Sequence, residues 1–175
     1  SALAIANVPE DRVVDFEVMD QCAPHYLADL TKRIMTFLQR SAADIVVTHP
    51  YEGGHPDHDA TAFATHAALR LMKQNGFRPP VLFEMALHPS KDGKAKLPEF
   101  LPGSERETTT LLLDERAQKL KQKMFACFET QQESLQASPV AAASRRATRA
   151  RRRLPPHSPT RATSSRAPLL GLPGR

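Results

Sequence analysis

Ile45-Val46-Val47-Thr48 is the run that most limits how this chain can fold. All four residues are β-branched, so they favour extended backbone over helix. A short run of this kind reads as a buried strand. It passes directly into Thr48-His49-Pro50-Tyr51-Glu52-Gly53-Gly54-His55-Pro56-Asp57-His58-Asp59, a loop bent by two prolines and two glycines. Beyond it the apolar spacing turns helical. A strand, a polar bend and a helix in direct succession form the unit from which α/β folds are assembled.

The flanking sequence continues the alternation. Leu27, Leu30, Ile34, Phe37 and Leu38 fall on one face of a helix over about 24–40. A second helix over about 58–74 carries Ala62, Thr65, Ala68, Leu69 and Met72 along one side, and Asn75-Gly76 closes it. Residues 81–86 form a second strong strand, with Met85, like Met72 and Met124, as core filler. Residues 13–16 and 108–112 are further strand candidates, and 88–102 reads as a long loop. Asp114 is placed to cap a last helix reaching residue 136, with Ala117, Leu120, Met124, Cys127, Phe128 and Leu135 on its buried side. The order implies an α/β fold with a largely parallel sheet. Such folds bind ligands beyond the carboxyl ends of their strands, and the histidine loop leaves one of those ends.

Charge divides the chain in two. From Ala137 onward there are nine arginines and no acidic residue; the remainder holds fifteen basic against nineteen acidic residues, a net of −4. The overall +5 therefore belongs to the tail and says nothing about partners of the folded part. Residues 1–136 read as one domain. Residues 137–175, rich in Arg, Ala, Pro and Ser without periodic apolar residues, read as a disordered tail. Such a tail is either a basic arm for nucleic acid or the product of a shifted reading frame in GC-rich DNA, and the abrupt loss of acidic and aromatic residues favours the frameshift. No apolar run is long enough to cross a membrane. Cys22 and Cys127 lie far apart without a CxxC partner, which suits a reduced, cytoplasmic compartment.

Imidazoles and carboxylates packed this closely suit a borderline divalent ion such as zinc. Metal-assisted hydrolysis needs about three protein ligands, an open position for water, a carboxylate base and a donor for the developing oxyanion. His58, opening the helix, can turn its ring back toward the strand end. His55 can face the substrate, with Asp57 as the carboxylate that orients it. The glycines let a ligand approach the backbone. Tyr51, Glu52, Gly53 and Gly54 are candidates for the substrate pocket. The plain alternative is a polar loop in which Asp57 caps a helix. His49 reads as a residue of the pocket rim, His66 as a packed or exposed helix residue, and His88 as a residue after a strand that could reach the same sheet edge; His25 has no partner pattern, and His157 lies in the tail.

Gly54-His55-Pro56-Asp57-His58-Asp59-Ala60, between a strand and a helix, resembles the second signature motif of the PIG-L/LmbE-like N-acetylglucosaminyl deacetylases. The segment from Met124 through Thr130-Gln131 is similar to the helix near the end of that family's domain, and the resemblance covers about 9–136. It implies a Rossmann-like three-layer fold and zinc-dependent hydrolysis of the acetamide of an amino-sugar conjugate, giving acetate and a free amine. It also implies that His58 is a metal ligand. His55, oriented by Asp57, would then stabilise the oxyanion or protonate the leaving amine. The family's first motif, Ala-His-Pro-Asp-Asp-Glu, supplies the remaining ligands and the base, and no His-Pro-Asp-Asp occurs in these 175 residues. The expectation is therefore an N-terminally incomplete domain with little activity by itself. The alternative is a non-catalytic α/β module whose basic arm binds nucleic acid.

Overall fold

A computed structural model describes residues 1–51, 54–86, 100, 108–131 and 147–153. In chain order these form helix α1 (Ala2–Ile5), helix α2 (Leu27–Ser41), strand β1 (Ile45–Thr48), helix α3 (Pro56–Gln74), strands β2 (Val81–Met85) and β3 (Thr108–Leu112), helix α4 (Glu115–Ala126) and strand β4 (Ala147–Arg153). Short 3-10 turns occupy Glu10–Arg12, Ala23–Tyr26 and Glu129–Gln131. The architecture is mixed helix and strand, and no helix among the described residues is long and apolar enough to cross a membrane.

The four strands lie in the order β1-β2-β4-β3. β1 pairs with β2 in parallel, Ile45 beside Val81 and Thr48 beside Glu84. β4 runs antiparallel to both β2 and β3. The expected parallel sheet is present in part: β1, β2 and β3 point the same way, but β4 separates β2 from β3, and one ladder of the described sheet is parallel. β4 also falls inside the stretch expected to be without structure. Its sequence, Ala-Thr-Arg-Ala-Arg-Arg-Arg, has no apolar alternation. The strand is instead specified by backbone N–H and C=O groups that find partners on both sides, a pairing that does not depend on side-chain pattern. The remainder of the tail, like most of the expected loop over 88–102 and residues 132–136, lies outside the described residues.

The helical layer is built on small side chains. α3 buries Ala60, Ala62, Ala64, Thr65, Ala68 and Met72, so its backbone comes close to its neighbours. Ala60 and Ala64 join Ala23 and Leu30 in the core, with Phe16, Val18, Leu27 and Ile34 packed against them. α2 lies against α3, α3 also meets β1, and α1 meets α4. α2 ends at Ala42, which takes the left-handed conformation at φ 47°. The expected closure of α3 is present: Gly76 sits at φ 79° just past the helix. On the sheet side, Glu84 is fully buried and its Oε1 lies 2.8 Å from Nε2 of His66.

Several expected elements differ. Residues 13–16 join no ladder. The backbone N–H of Glu17, at φ 53°, donates to Asp15 Oδ1, and this turn ends the extended stretch. Arg33 of α2 holds the stretch in place, donating from Nη1 to the carbonyl of Phe16 at 2.9 Å with its guanidinium over the Phe16 ring. β1 is only partly buried: Ile45 and Val47 are 58% and 56% exposed, because their face of the strand is open. α4 begins at its Asp114 cap as expected but stops at Ala126 and buries none of its residues. Cys127, expected in the core, is an exposed thiol, and Cys22 is a half-buried one. Met72 is buried, whereas Met85 is 36% exposed.

Candidate active site

β1 ends at Thr48, and His49 is the next residue. α3 starts seven residues later, with His55 in extended backbone as its N-cap and Pro56 opening the helix. Proline is favoured here because its missing N–H has no helical partner to lose. Side chains in a helix tilt toward its N-terminus, so His58, in the first turn, leans back to the strand end. Its ring stacks on that of His49, with centroids 4.1 Å apart and planes 7° apart. His55 stands on another side of His58, at 4.7 Å and 35°. Strand end, loop and helix start thus each bring one imidazole to the same place.

Protonation is set by this crowding. Burial lowers the pKa of His49 below the usual 6.5, and the charges that His58 and His55 would carry lower it further. Burial is also the largest cause at His58, followed by His55, and Asp57 and Asp59 oppose it by attraction. Both rings are therefore neutral at pH 7, with a lone pair available to a metal. The third ring is fixed in a different way. Nδ1 of His55 accepts a hydrogen bond from the backbone N–H of Asp57 at 3.2 Å. That nitrogen must be unprotonated, so in the neutral ring the proton resides on Nε2. His55 is thereby presented as a donor.

Asp57 acts differently from the expected carboxylate partner of His55. Its Oδ2 accepts from the N–H of Gln21 at 2.7 Å, and its Oδ1 accepts from the N–H of Ala23 at 3.0 Å. Its contact with His55 is through its own backbone N–H. The carboxylate clamps the loop before α2 onto the start of α3, and Gln21 takes φ 64° within that loop. The clamp brings up Asp20. Asp20, His55 and Asp57 each have a ligand atom within 4.8 Å of the others, a group able to hold a metal ion once His55 gives up its helix-cap bond or its Nε2 proton. The N–H groups on Asp57 leave lone pairs free on both oxygens and hold them in place. His58, the expected ligand, is not in that group but adjoins it through His55.

Two buried polar atoms at the end of β1, Thr48 Oγ1 and His49 Nδ1, have no hydrogen-bond partner among the described residues. Each costs about 1–3 kcal/mol if left unmatched, so the site has unused donor and acceptor capacity. Of the expected pocket residues, Tyr51 is exposed, Gly54 is an exposed bend, and Glu52 and Gly53 lie outside the described residues. A cavity of about 650 Å³ lies elsewhere, lined by Asn7, Asp114, Glu115, Arg116, Lys119, Leu120 and Lys123. None of the site histidines borders it. Of the site residues, His49 was read from the sequence only as part of the pocket rim, and Asp20 was not singled out. For His49 a signal existed, since it follows a strand end, where α/β folds bind ligands. For Asp20 there was none, because only the clamp from Asp57 brings it to the site. Comparison with protein-family models, curated proteins and solved structures found no match to this chain.

Proposed function

We propose that this chain carries the site of a zinc-dependent amide hydrolase that removes the acetyl group from an amino-sugar conjugate, releasing acetate and a free amine. The observation that carries this reading is the division of labour among the imidazoles. His58 and His49 are neutral bases at a strand end, while His55 is locked as an Nε2–H donor. In the proposed mechanism the Nε2–H of His55 donates a hydrogen bond to the oxygen that gains charge on the acetamide carbonyl, and the departing amine takes the proton that the base removes from the attacking water. Asp57 and its clamp hold this donor at a fixed height above the helix start, and Asp20 adds a second negative charge beside it.

Neutral imidazoles flanked by carboxylates fit a borderline divalent ion, and Nδ1 of His49 is a buried nitrogen without a hydrogen-bond partner among the described residues. A zinc ion held by His58 would supply an activated water and polarise the carbonyl. The resemblance of the 54–60 motif to PIG-L/LmbE-like deacetylases adds the substrate class and a Rossmann-like three-layer frame. It also assigns the remaining ligands and the base to a His-Pro-Asp-Asp motif that these residues do not contain. A nucleic-acid-binding arm has less to draw on, since residues 147–153 lie within the sheet.

The test is acetate release from an N-acetylglucosaminyl conjugate by the zinc-loaded protein, carrying any upstream His-Pro-Asp-Asp segment its gene encodes. His58→Ala should lose the metal, and His55→Ala should keep it while losing rate. A zinc-loaded parent with no activity, or two variants that bind zinc and turn over like the parent, sinks the assignment.

A further inference from the structure

Three features of His49 go beyond the role of a rim residue. It is the first residue after β1, its ring lies flat on that of His58, and its Nδ1 is buried without a partner among the described residues. A stacked ring that only packed would leave its nitrogens to water or to the backbone. His55 cannot supply a second lone pair as it stands, because its Nδ1 is occupied by the helix cap. His49 is under no such constraint.

We propose that His49 is a second imidazole ligand of the ion held by His58, so that strand β1 and helix α3 grip one metal from both sides of the loop. This rests on the hydrolase reading above and adds to it a ligand drawn from this chain. Parallel rings put their lone pairs in parallel planes, so ion binding must turn one ring out of the stack. No hydrogen bond among the described residues holds Nδ1 of His49 against such a turn. Two imidazoles select a zinc-class ion over magnesium or calcium, which prefer oxygen ligands. The carboxylates of Asp20 and Asp57 stand beside His55 and complete the negative side of the site.

Zinc affinity measured on the full 175-residue chain by competition with a chromophoric chelator tests this directly. His49→Phe keeps an aromatic ring in the stack and removes both nitrogens. It should weaken zinc binding by more than about 100-fold, beyond the 10–100-fold lost when a group merely supports a ligand. Any smaller loss overturns the ligand role. X-ray absorption of the zinc-loaded parent needs no substitution and should count at least two imidazoles. Zinc bound through a single imidazole overturns this inference and leaves the hydrolase reading standing. A parent chain that binds no zinc also overturns this inference, and the hydrolase reading is then decided by acetate release from the protein carrying its upstream segment.

Discussion

Replacing Asp57 with alanine removes both oxygens that fasten the 20–23 loop to the start of α3. The bond from the Ala23 N–H, at 3.0 Å, is partly buried, and that from the Gln21 N–H, at 2.7 Å, is exposed. A hydrogen bond to a charged acceptor contributes about 1.5–3 kcal/mol when shielded. The exposed bond, competing with water, adds less than about 1 kcal/mol, and loss of a carboxylate from the first turn of α3 takes a further ~0.5 kcal/mol. Asp57→Ala should therefore cost about 2–4 kcal/mol. At roughly 2–4 °C per kcal/mol for a chain of this size, Tm should fall by roughly 5–15 °C. Asn in place of Asp57 keeps one acceptor oxygen but turns an amide NH2 toward the other backbone donor, so about half the loss should remain. Urea denaturation at pH 7, fitted with the parent's slope, measures both values. An alanine variant within about 0.5 kcal/mol of the parent would mean that the clamp does not hold the loop, and the placement of Asp20 would lose its explanation.

Two further outcomes follow from local geometry. Ala42 caps α2 at φ 47°, where a Cβ is strained and glycine is not. Ala42→Gly should stabilise the chain by up to about 1 kcal/mol in the same denaturation assay, and a destabilised variant would contradict this account. His49 and His58 have pKa values lowered in the fold, so the unfolded chain binds more protons near pH 6 than the folded one. Their contribution is fully present above about pH 6.5, the unfolded value, and is lost as pH falls through the lowered folded values. Stability measured at several pH values should decline below 6.5 in the parent, and more shallowly in a variant lacking both rings. Equal slopes would show that other groups set the dependence.

Elements whose side chains declare their own environment were legible in the sequence. The β-branched run of β1, the alanine stripe of α3 with Gly76 after it, and the Asp114 cap of α4 all stand where expected. Each depends on contacts within a few residues, which propensity and periodicity record. β4 was not legible, because a strand held by backbone pairing on both sides leaves no mark in its side chains. The open face of β1 was equally hidden, since hydrophobic residues do not state which of their faces a neighbour will cover.

The candidate site divides along the same line. Sequence alone determined that His55 and His58 flank a helix start just beyond a strand, because the spacing of glycines and prolines fixes the bend. Only the tertiary structure decided what each group does there. The helix cap sets which nitrogen of His55 holds the proton, and the return of α3 to β1 lays His58 on His49. The grip of Asp57 on backbone amides 34 and 36 residues away brings in Asp20. These are contacts across sequence distance. They exist only once burial of the alanine face of α3 has met the entropy cost of closing the chain between them.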